Sequence, residues 1–136
     1  RCLDLLTEKK ILKVGIRSGT KEEFKFMSQK KQLVKFLPGG NAQEFKKALL
    51  PYSNSPIYLT IDLDWFDPSL LPGTGTPEPG GFFWNDFEVI LETLKEFRIV
   101  ASDIVELSPE IDSSGVSSIV AAKVLRSLIM SVQNMQ

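Results

Sequence analysis

Strand-like and helix-like segments alternate along this chain, and the alternation constrains the fold more than any other feature. Two short apolar runs, Ile11–Ile16 and Ile57–Ile61, have the nearly continuous hydrophobic character of strands that are buried on both faces. Arg98–Glu106 is a third β-rich run, and Gln32–Phe36 is a shorter fourth. Strands that alternate with amphipathic helices are typical of a parallel sheet with helices packed on it, so we predict an α/β fold.

The helices between these strands are predicted from apolar stripes and from capping residues. Asn41 with Glu44, and Asn85 with Glu88, have the spacing of a capping box. The predicted helical segments are residues 2–9, 20–30, 41–50, 85–97 and a last helix that starts at Ser113 or Ser114. No second domain, internal repeat or low-complexity segment is recognised, so residues 1–136 are assigned to one domain.

Three acidic residues follow Ile57–Ile61, where a parallel strand would end. Asp62 and Asp64 are two positions apart, so on a regular strand their carboxylates share one face. Two anions so placed repel one another, and a hard divalent cation is the simplest partner for both. Paired aspartates also cap turns, so the pattern alone is weak. Asp67–Pro68 directly after it, and its place at the edge where such sheets bind ligands, favour the metal interpretation.

The loop from residue 63 to residue 84 is long for a compact domain, and long loops are often functional. Its segment Pro72–Gly81 combines four glycines, which permit close backbone approach, with three prolines, which stiffen the chain. Thr74 and Thr76 offer hydroxyl groups to a ligand. We expect this loop to hold one shape, either as part of a binding site or as an ordinary Ω-loop.

Asp103 and Glu106 end the third β-rich run. They are an odd number of residues apart, so they face opposite sides of a regular strand. Glu106 stands last, where its carboxylate can form two parallel hydrogen bonds with a planar guanidinium group. Asp103 is equally compatible with a salt bridge or a cap.

Composition excludes several classes of site. The chain contains no histidine, which rules out a Ser-His-Asp or Cys-His mechanism and the usual His-bearing zinc site within these residues. Its single cysteine, Cys2, cannot form an internal disulfide, so a reducing, cytoplasmic setting is expected. The apolar runs are too short to cross a bilayer, so no membrane partner is expected.

Charge is divided unevenly between the two halves of the chain. Residues 1–50 hold twelve Lys/Arg and five Asp/Glu, a net +7, whereas residues 51–136 hold four and twelve, a net −8. A basic half is compatible with an acidic partner or nucleic acid. The lysines are dispersed and no aromatic–basic ladder accompanies them, so solvated helix faces are favoured and no nucleic-acid partner is expected.

Three ordered motifs resemble the ureohydrolases, the family of arginases and agmatinases. They are Ile61–Pro68 (IDLDWFDP), Pro72–Gly81 (PGTGTPEPGG) and Asp103–Pro109 (DIVELSP), and Val14–Ser18 (VGIRS) resembles the family's preceding strand. The resemblance covers essentially the whole chain but only the C-terminal half of the family. It implies an arginase-like, three-layer α/β/α parallel sheet, of which residues 1–136 form a partial domain. It also implies hydrolysis of a guanidino compound to urea and an amine at a centre of two manganese ions.

The same resemblance assigns roles to individual residues. Asp62 and Asp64 match two of the family's metal-ligand carboxylates. Glu106 matches the glutamate that holds the substrate guanidinium, and Thr76 matches a loop threonine at the substrate pocket. The reaction that this resemblance implies is attack of a metal-activated hydroxide on the guanidinium carbon, with Glu106 as the catalytic and substrate-binding carboxylate.

The resemblance also bears on the substrate. Asp67 and Asp103 resemble structural acids outside the ligand set. The amino-acid sequence of the Gly/Pro loop resembles that of agmatinases more than that of arginases. Ser18 stands where arginases place an acid near the substrate's α-amino group, which favours a decarboxylated guanidino substrate, agmatine, with putrescine as the product.

The chain departs from the family in what it lacks. The family's N-terminal half supplies two histidines, two further aspartates and a proton-transfer histidine, and none of that is present here. An octahedral ion takes about six donors, more than Asp62 and Asp64 can give to two ions. We therefore expect a piece of a longer enzyme that is inactive alone. Family members are generally multimers, so a homo-oligomer is expected for the full-length protein.

Three other interpretations stay open. A phosphatase would use Asp-x-Asp as nucleophile and acid, although Trp65 stands where such sites usually carry Thr or Val. A non-catalytic member of the family would keep the ureohydrolase-like fold without a complete metal site. A binding module would present the acidic face to a basic partner, and it would not need the Thr/Gly/Pro loop.

Overall fold

Strands and helices alternate through the part of the chain that the structure, a computed structural model, describes: residues 2–7, 10–34, 36–40 and 42–133. The strands are β1 (Lys13–Val14), β2 (Leu33–Val34), β3 (Ile57–Asp62) and β4 (Ile99–Val105). The helices are α1 (Cys2–Leu5), α2 (Lys21–Gln29), α3 (Gln43–Leu49), α4 (Trp84–Leu94) and α5 (Val116–Gln133). Short 3₁₀ turns occupy Leu50–Tyr52, Leu63–Trp65 and Pro109–Ile111. The predicted α/β alternation is confirmed.

The strands pair in parallel, as the alternation predicts. β3 pairs with β4 from Ile57 opposite Ile99 to Asp62 opposite Val105. β1 and β2 form a separate, shorter parallel pair. Because parallel neighbours end at the same edge, the last residue of β3 and the residue after β4 meet at one carboxyl edge.

β1 and β2 are shorter than the apolar runs that predicted them. Gly15 has a φ of 75° and turns the backbone out of the strand directly after Val14. At the other strand, the Phe36 N–H donates to the Val34 carbonyl at 3.0 Å, a tight turn that ends the pairing. Local turns therefore shorten the ladder, although the Phe36 side chain remains buried.

The cap of α2 follows from the sequence. The Thr20 side chain accepts from the Glu23 N–H, and the Glu23 carboxylate accepts in return from the Thr20 N–H at 2.7 Å. The Thr20 backbone and side chain together hold the pKa of Glu23 below its usual value. The predicted cap Asn41 lies outside the described residues, and α3 begins at Gln43.

The predicted Asn85–Glu88 cap of α4 is wrong. Asp86 caps the helix instead, since its carboxylate accepts from the Phe83 N–H at 2.8 Å. The other oxygen of Asp86 accepts from the Gly39 N–H at 2.6 Å. A contact with a distant loop thus selects Asp86, which is buried, over its sequence neighbours.

The 3₁₀ turn after β3 is anchored in the hydrophobic core. Leu63, the first residue of the turn, and Phe66, which follows it, are 0% and 1% exposed and pack against α4 and α5. Between them, Trp65 stacks on Phe82 with ring centroids 4.1 Å apart. Full burial of each such apolar side chain stabilises the fold by about 1.5–3 kcal/mol. The turn that carries Asp64 is therefore held in place by the packing of these side chains in the core.

β3 is buried on one face only. Ile57, Leu59 and Ile61 are partly buried, whereas the alternate residues are exposed, with Tyr58 at 61%. Burial on both faces, which the apolar run predicts, is wrong for the described chain because no described element covers the Tyr58 side. Within the described ranges, every helix falls short of the length and apolar character needed to span a membrane.

Candidate functional site

Asp62 and Asp64 lie together at the end of β3, but not on one strand face as the sequence predicts. The chain leaves the strand at Asp62 and continues as a 3₁₀ turn that contains Asp64. The Asp64 N–H donates to Oδ1 of Asp62 at 3.1 Å, so Asp62 caps the turn that carries its neighbour. The turn keeps the two carboxylates adjacent by a different geometry from the predicted one.

The carboxylates at this edge repel one another. Asp62 is exposed as a residue, but partial removal of its carboxylate from water raises its pKa, and the nearby charges of Asp64 and Glu106 raise it further, while the Asp64 N–H opposes them. Glu106 directly follows Val105, the β4 partner of Asp62, which explains why its charge reaches Asp62. The structure therefore brings all three predicted acids to one edge of the sheet.

Glu106 has a strained backbone. Its φ of 69° lies in the left-handed region, which residues with a side chain rarely adopt. The next residues hold it there: Leu107 pairs with Thr74, and the Ser108 N–H donates to the Gly73 carbonyl at 2.8 Å. A strained conformation persists only where the surrounding structure holds it, and such residues cluster at functional sites. The Glu106 side chain itself is exposed and accessible to a ligand.

The Gly/Pro loop reaches the same edge through Thr76. The Thr76 hydroxyl donates to Oδ2 of Asp64 at 2.9 Å. This contact joins the 3₁₀ turn to the loop and engages one of the two carboxylate oxygens of Asp64. The structure thus places Thr76 beside Asp64, as a residue of a shared site would be.

Asp67 turns away from this cluster and fixes the loop. Its carboxylate accepts from the N–H and hydroxyl of Ser69 and from the N–H groups of Gly80 and Gly81. These bonds, those of Ser69 foremost, lower the pKa of Asp67 to about 2. Asp67 is therefore a structural acid that joins the two ends of the loop, in agreement with the sequence prediction.

Asp103 is also held away from the cluster. It accepts a hydrogen bond from the Tyr58 hydroxyl at 2.6 Å, on the exposed face of the β3–β4 pair. Hydrogen bonds from Thr60 and Tyr58 lower the pKa of Asp103, and the bond to Asp103 raises the pKa of Tyr58. Asp103 thus has the structural role that the sequence resemblance assigned to it.

Arg17 is a site residue that the sequence analysis missed. Its guanidinium group donates to the carbonyl oxygens of Asp64 at 2.6 Å, Trp65 at 2.9 Å and Glu78 at 2.8 Å. Arg17 therefore joins the 3₁₀ turn, through Asp64 and Trp65, to the Gly/Pro loop, through Glu78. The sequence signal was the place of Arg17 within the Val14–Ser18 motif, two residues after Gly15, but no role was assigned to it there.

The acids at this edge fit part of a metal site. Asp62 and Asp64 are oxygen donors of the kind that hard divalent cations prefer, and their mutual repulsion calls for a cation. Among the described residues, however, no group of three or more His, Cys, Asp or Glu side chains is placed to hold a metal ion. These residues fit one wall of a metal centre.

Comparison with known proteins gives consistent matches over most of the chain. The model of the Arginase family matches residues 1–131. An agmatinase of Bacillus cereus is 32% identical over 130 residues, which are 93% of this chain and 44% of that protein. An agmatinase of Pyrococcus horikoshii is 41% identical over 118 residues, or 85% of this chain and 41% of that protein.

A solved structure agrees with the sequence matches. The crystal structure of a Clostridium difficile protein assigned as an agmatinase superposes with a TM-score of 0.76 at 45% identity. The superposition covers 88% of this chain and 44% of that one. The chain therefore spans less than half the length of the curated relatives and the solved structure that it matches.

Proposed function

The chain belongs to the arginase family, and from this premise we propose that it supplies one part of the active site of a manganese-dependent ureohydrolase. Its fold is the arginase-like α/β fold predicted from the sequence, of which the chain covers part. The reaction we propose is hydrolysis of a guanidino compound, with agmatine favoured, to urea and putrescine. The observation that carries the proposal is the meeting of Asp62, Asp64 and Glu106 at one edge, with Thr76 bonded to Asp64.

Asp62 and Asp64 are the residues we assign to the metal. When bound, a manganese pair supplies a water molecule whose pKa is lowered enough to give hydroxide near neutral pH. We propose that residues 1–136 form the C-terminal portion of a single ureohydrolase domain and that the remaining ligands lie in another part of the protein. This is supported by the coverage of the relatives, which is less than half.

Glu106 is the residue we assign to the substrate. A carboxylate at this position can accept two parallel hydrogen bonds from a planar guanidinium, which fixes the plane of the group as well as its position. Its left-handed backbone supports this assignment. The conformation costs free energy, and such costs are typical of residues whose side chains are positioned for function. Thr76 keeps Asp64 oriented by donating to one of its two carboxylate oxygens. Orientation of this kind lowers the barrier to attack on the guanidinium carbon.

Agmatine is favoured over arginine on two grounds. The matched relatives above are agmatinases or assigned as such. By the resemblance to arginases, Ser18 stands where those enzymes place an acid near the substrate's α-amino group, and here the residue is neutral and exposed. We further propose that the complete protein is a cytoplasmic homo-oligomer that acts on a small molecule, without nucleic-acid or membrane partners.

Three carboxylate variants of the complete enzyme test the assignment. Asp64→Asn should lose Mn²⁺ in calorimetric titration and lose urea release from agmatine. Glu106→Ala should keep Mn²⁺ but lose most of its kcat/KM for agmatine, because the guanidinium is no longer held. Glu110→Ala is the matched control, since Glu110 is an exposed carboxylate in the neighbouring 3₁₀ turn. Retained activity in Asp64→Asn, or equal metal loss in Glu106→Ala, contradicts the assigned roles.

One observation favours a second candidate, a non-catalytic ureohydrolase-like fold or binding module. No described group of three acidic, histidine or cysteine side chains is placed around a metal position. Urea release from agmatine, arginine and guanidinobutyrate by the complete protein with Mn²⁺ separates the candidates. Activity on any of the three rejects the non-catalytic one, and its absence on all three, with metal bound, supports it.

A further inference from the structure

A buried carboxylate at the start of α5 is fully engaged with two serines. Oδ1 of Asp112 accepts from the Ser114 N–H at 3.0 Å and the Ser114 hydroxyl at 2.6 Å. Oδ2 accepts from the Ser117 N–H at 2.8 Å and the Ser117 hydroxyl at 2.7 Å. These four bonds, led by the Ser114 hydroxyl, hold the pKa of Asp112 well below its usual range. The two serines thus contact the same carboxylate in the same way.

Only Ser117 extends this network to the Gly/Pro loop. Its hydroxyl, whose proton is donated to Asp112, accepts from the Gly73 N–H at 2.7 Å. Ser117 is 0% exposed, and a Cβ added at Gly73 would lie 2.7 Å from the Ser117 Cβ. Asp112 therefore fixes the direction of the Ser117 hydroxyl, and Ser117 docks the loop backbone by both a hydrogen bond and direct contact.

Gly73 connects this docking point to Glu106. The Gly73 carbonyl accepts from the Ser108 N–H at 2.8 Å, and Thr74, the next residue, pairs with Leu107. These two contacts lie directly after Glu106 and hold its left-handed backbone. A loop that moved away from Ser117 would release both of them.

We propose that Ser117, oriented by Asp112, is a positioning residue: by docking Gly73 it holds Glu106 in its left-handed conformation and so aims the carboxylate that binds the guanidinium. The proposal rests on the function proposed above for its catalytic consequence. Ser117 is buried, so the effect we propose reaches Glu106 through the loop backbone at Gly73 and not through a contact with a ligand.

Ser117→Ala and Ser114→Ala form a matched pair. Both remove one hydroxyl from Asp112, but only Ser117→Ala releases Gly73. In the complete enzyme with Mn²⁺, we expect Ser117→Ala to raise the KM for agmatine roughly 5–10-fold with kcat changed less than about threefold, because Glu106 binds the guanidinium before and during the reaction. Ser114→Ala should leave the KM within about twofold of the wild type.

Amide hydrogen exchange provides a readout that is independent of activity. Ser117→Ala should speed exchange at the Gly73 and Ser108 amides by about tenfold or more, and Ser114→Ala should leave both nearly unchanged. If Ser117→Ala does not fold, Ser117→Cys takes its place, because the slightly larger thiol fills the site while weakening both hydrogen bonds.

The outcomes separate this proposal from the proposed function. An active wild type whose two serine variants show the same KM overturns the positioning role alone, even if exchange differs. Unchanged exchange at Gly73 and Ser108 in Ser117→Ala overturns the docking itself. A wild type that releases no urea from any guanidino compound overturns the proposed function and the catalytic consequence of the docking together.

Discussion

Gly81 lies where the Gly/Pro loop returns to the end of the 3₁₀ turn, and Gly81→Ala should break that closure. A Cβ on Gly81 would lie 2.4 Å from the backbone nitrogen of Asp67 and 2.6 Å from its Cα. Both are backbone atoms, which cannot rotate aside as the end of a side chain can. The φ of Gly81 is not in the left-handed region, so this contact alone decides the outcome.

The size of the effect follows from that overlap. Ordinary contact with a Cβ begins at 3.4 Å, so the two backbones must separate by about 1 Å. This separation stretches the bond from the Asp67 N–H to the Phe82 carbonyl, now 2.9 Å. Overpacking costs about 1–3 kcal/mol and a lost backbone hydrogen bond about 0.5–1.5 kcal/mol, so the free energy of unfolding should fall by about 2–4 kcal/mol.

Urea-induced unfolding measures this loss, and Gly75→Ala is its matched control. Gly75 lies in the same loop, and a Cβ added there would have no atom within 4 Å. Its φ is not positive. Its substitution should change the free energy of unfolding by less than about 0.5 kcal/mol. In the complete enzyme, a 1 Å displacement beside Thr76 and Asp64 should also lower kcat/KM, by up to about 100-fold. Equal stability of the two variants would refute the steric reasoning.

Two further perturbations test the packing around the site. The pKa of Asp67 falls to about 2 in the folded protein, so its stabilising bonds are fully present above about pH 4 and are lost as the pH falls toward 2. Thermal melts across this range should show Asp67→Asn to be less stable than the wild type at neutral pH and to lose less stability in acid. Equal loss of stability in acid by the two proteins would contradict this role of Asp67. Gly15→Ala combines a φ of 75° with a Cβ 2.3 Å from Nε1 of Trp65 and 2.5 Å from a Phe82 ring carbon. It should separate the Trp65–Phe82 stack, and unchanged tryptophan fluorescence would rule this out.

Features that depend on residues close in sequence were predictable. The helix predicted from Thr20 to about Lys30 forms as α2, and Thr20 and Glu23 close a capping box at its start, because both partners lie within one helical turn. β3 occupies the apolar run exactly up to Asp62, and the alternation of strands and helices predicts its parallel pairing. The chemical character of the site, acids at a strand end followed by a stiff Gly/Pro loop, is also written in the local sequence.

Features that depend on distant contacts were not predictable. Asp86 replaces Asn85 and Glu88 at the start of α4 because Gly39, far away in the sequence, donates to it. Arg17 looks like any strand-end arginine until its three carbonyl partners, 47 to 61 residues away, are known.

The sequence by itself determined the order of the elements, the acidic strand end and the family, because periodicity, capping and motif spacing act over a few residues. Only the tertiary structure decided how these parts meet. It placed Asp64 in a 3₁₀ turn, gave Glu106 a left-handed backbone and docked Gly73 on Ser117, 44 residues away. Each of these depends on a contact across the fold that a local window of sequence does not contain, and packing selects such contacts only when the whole chain is in place.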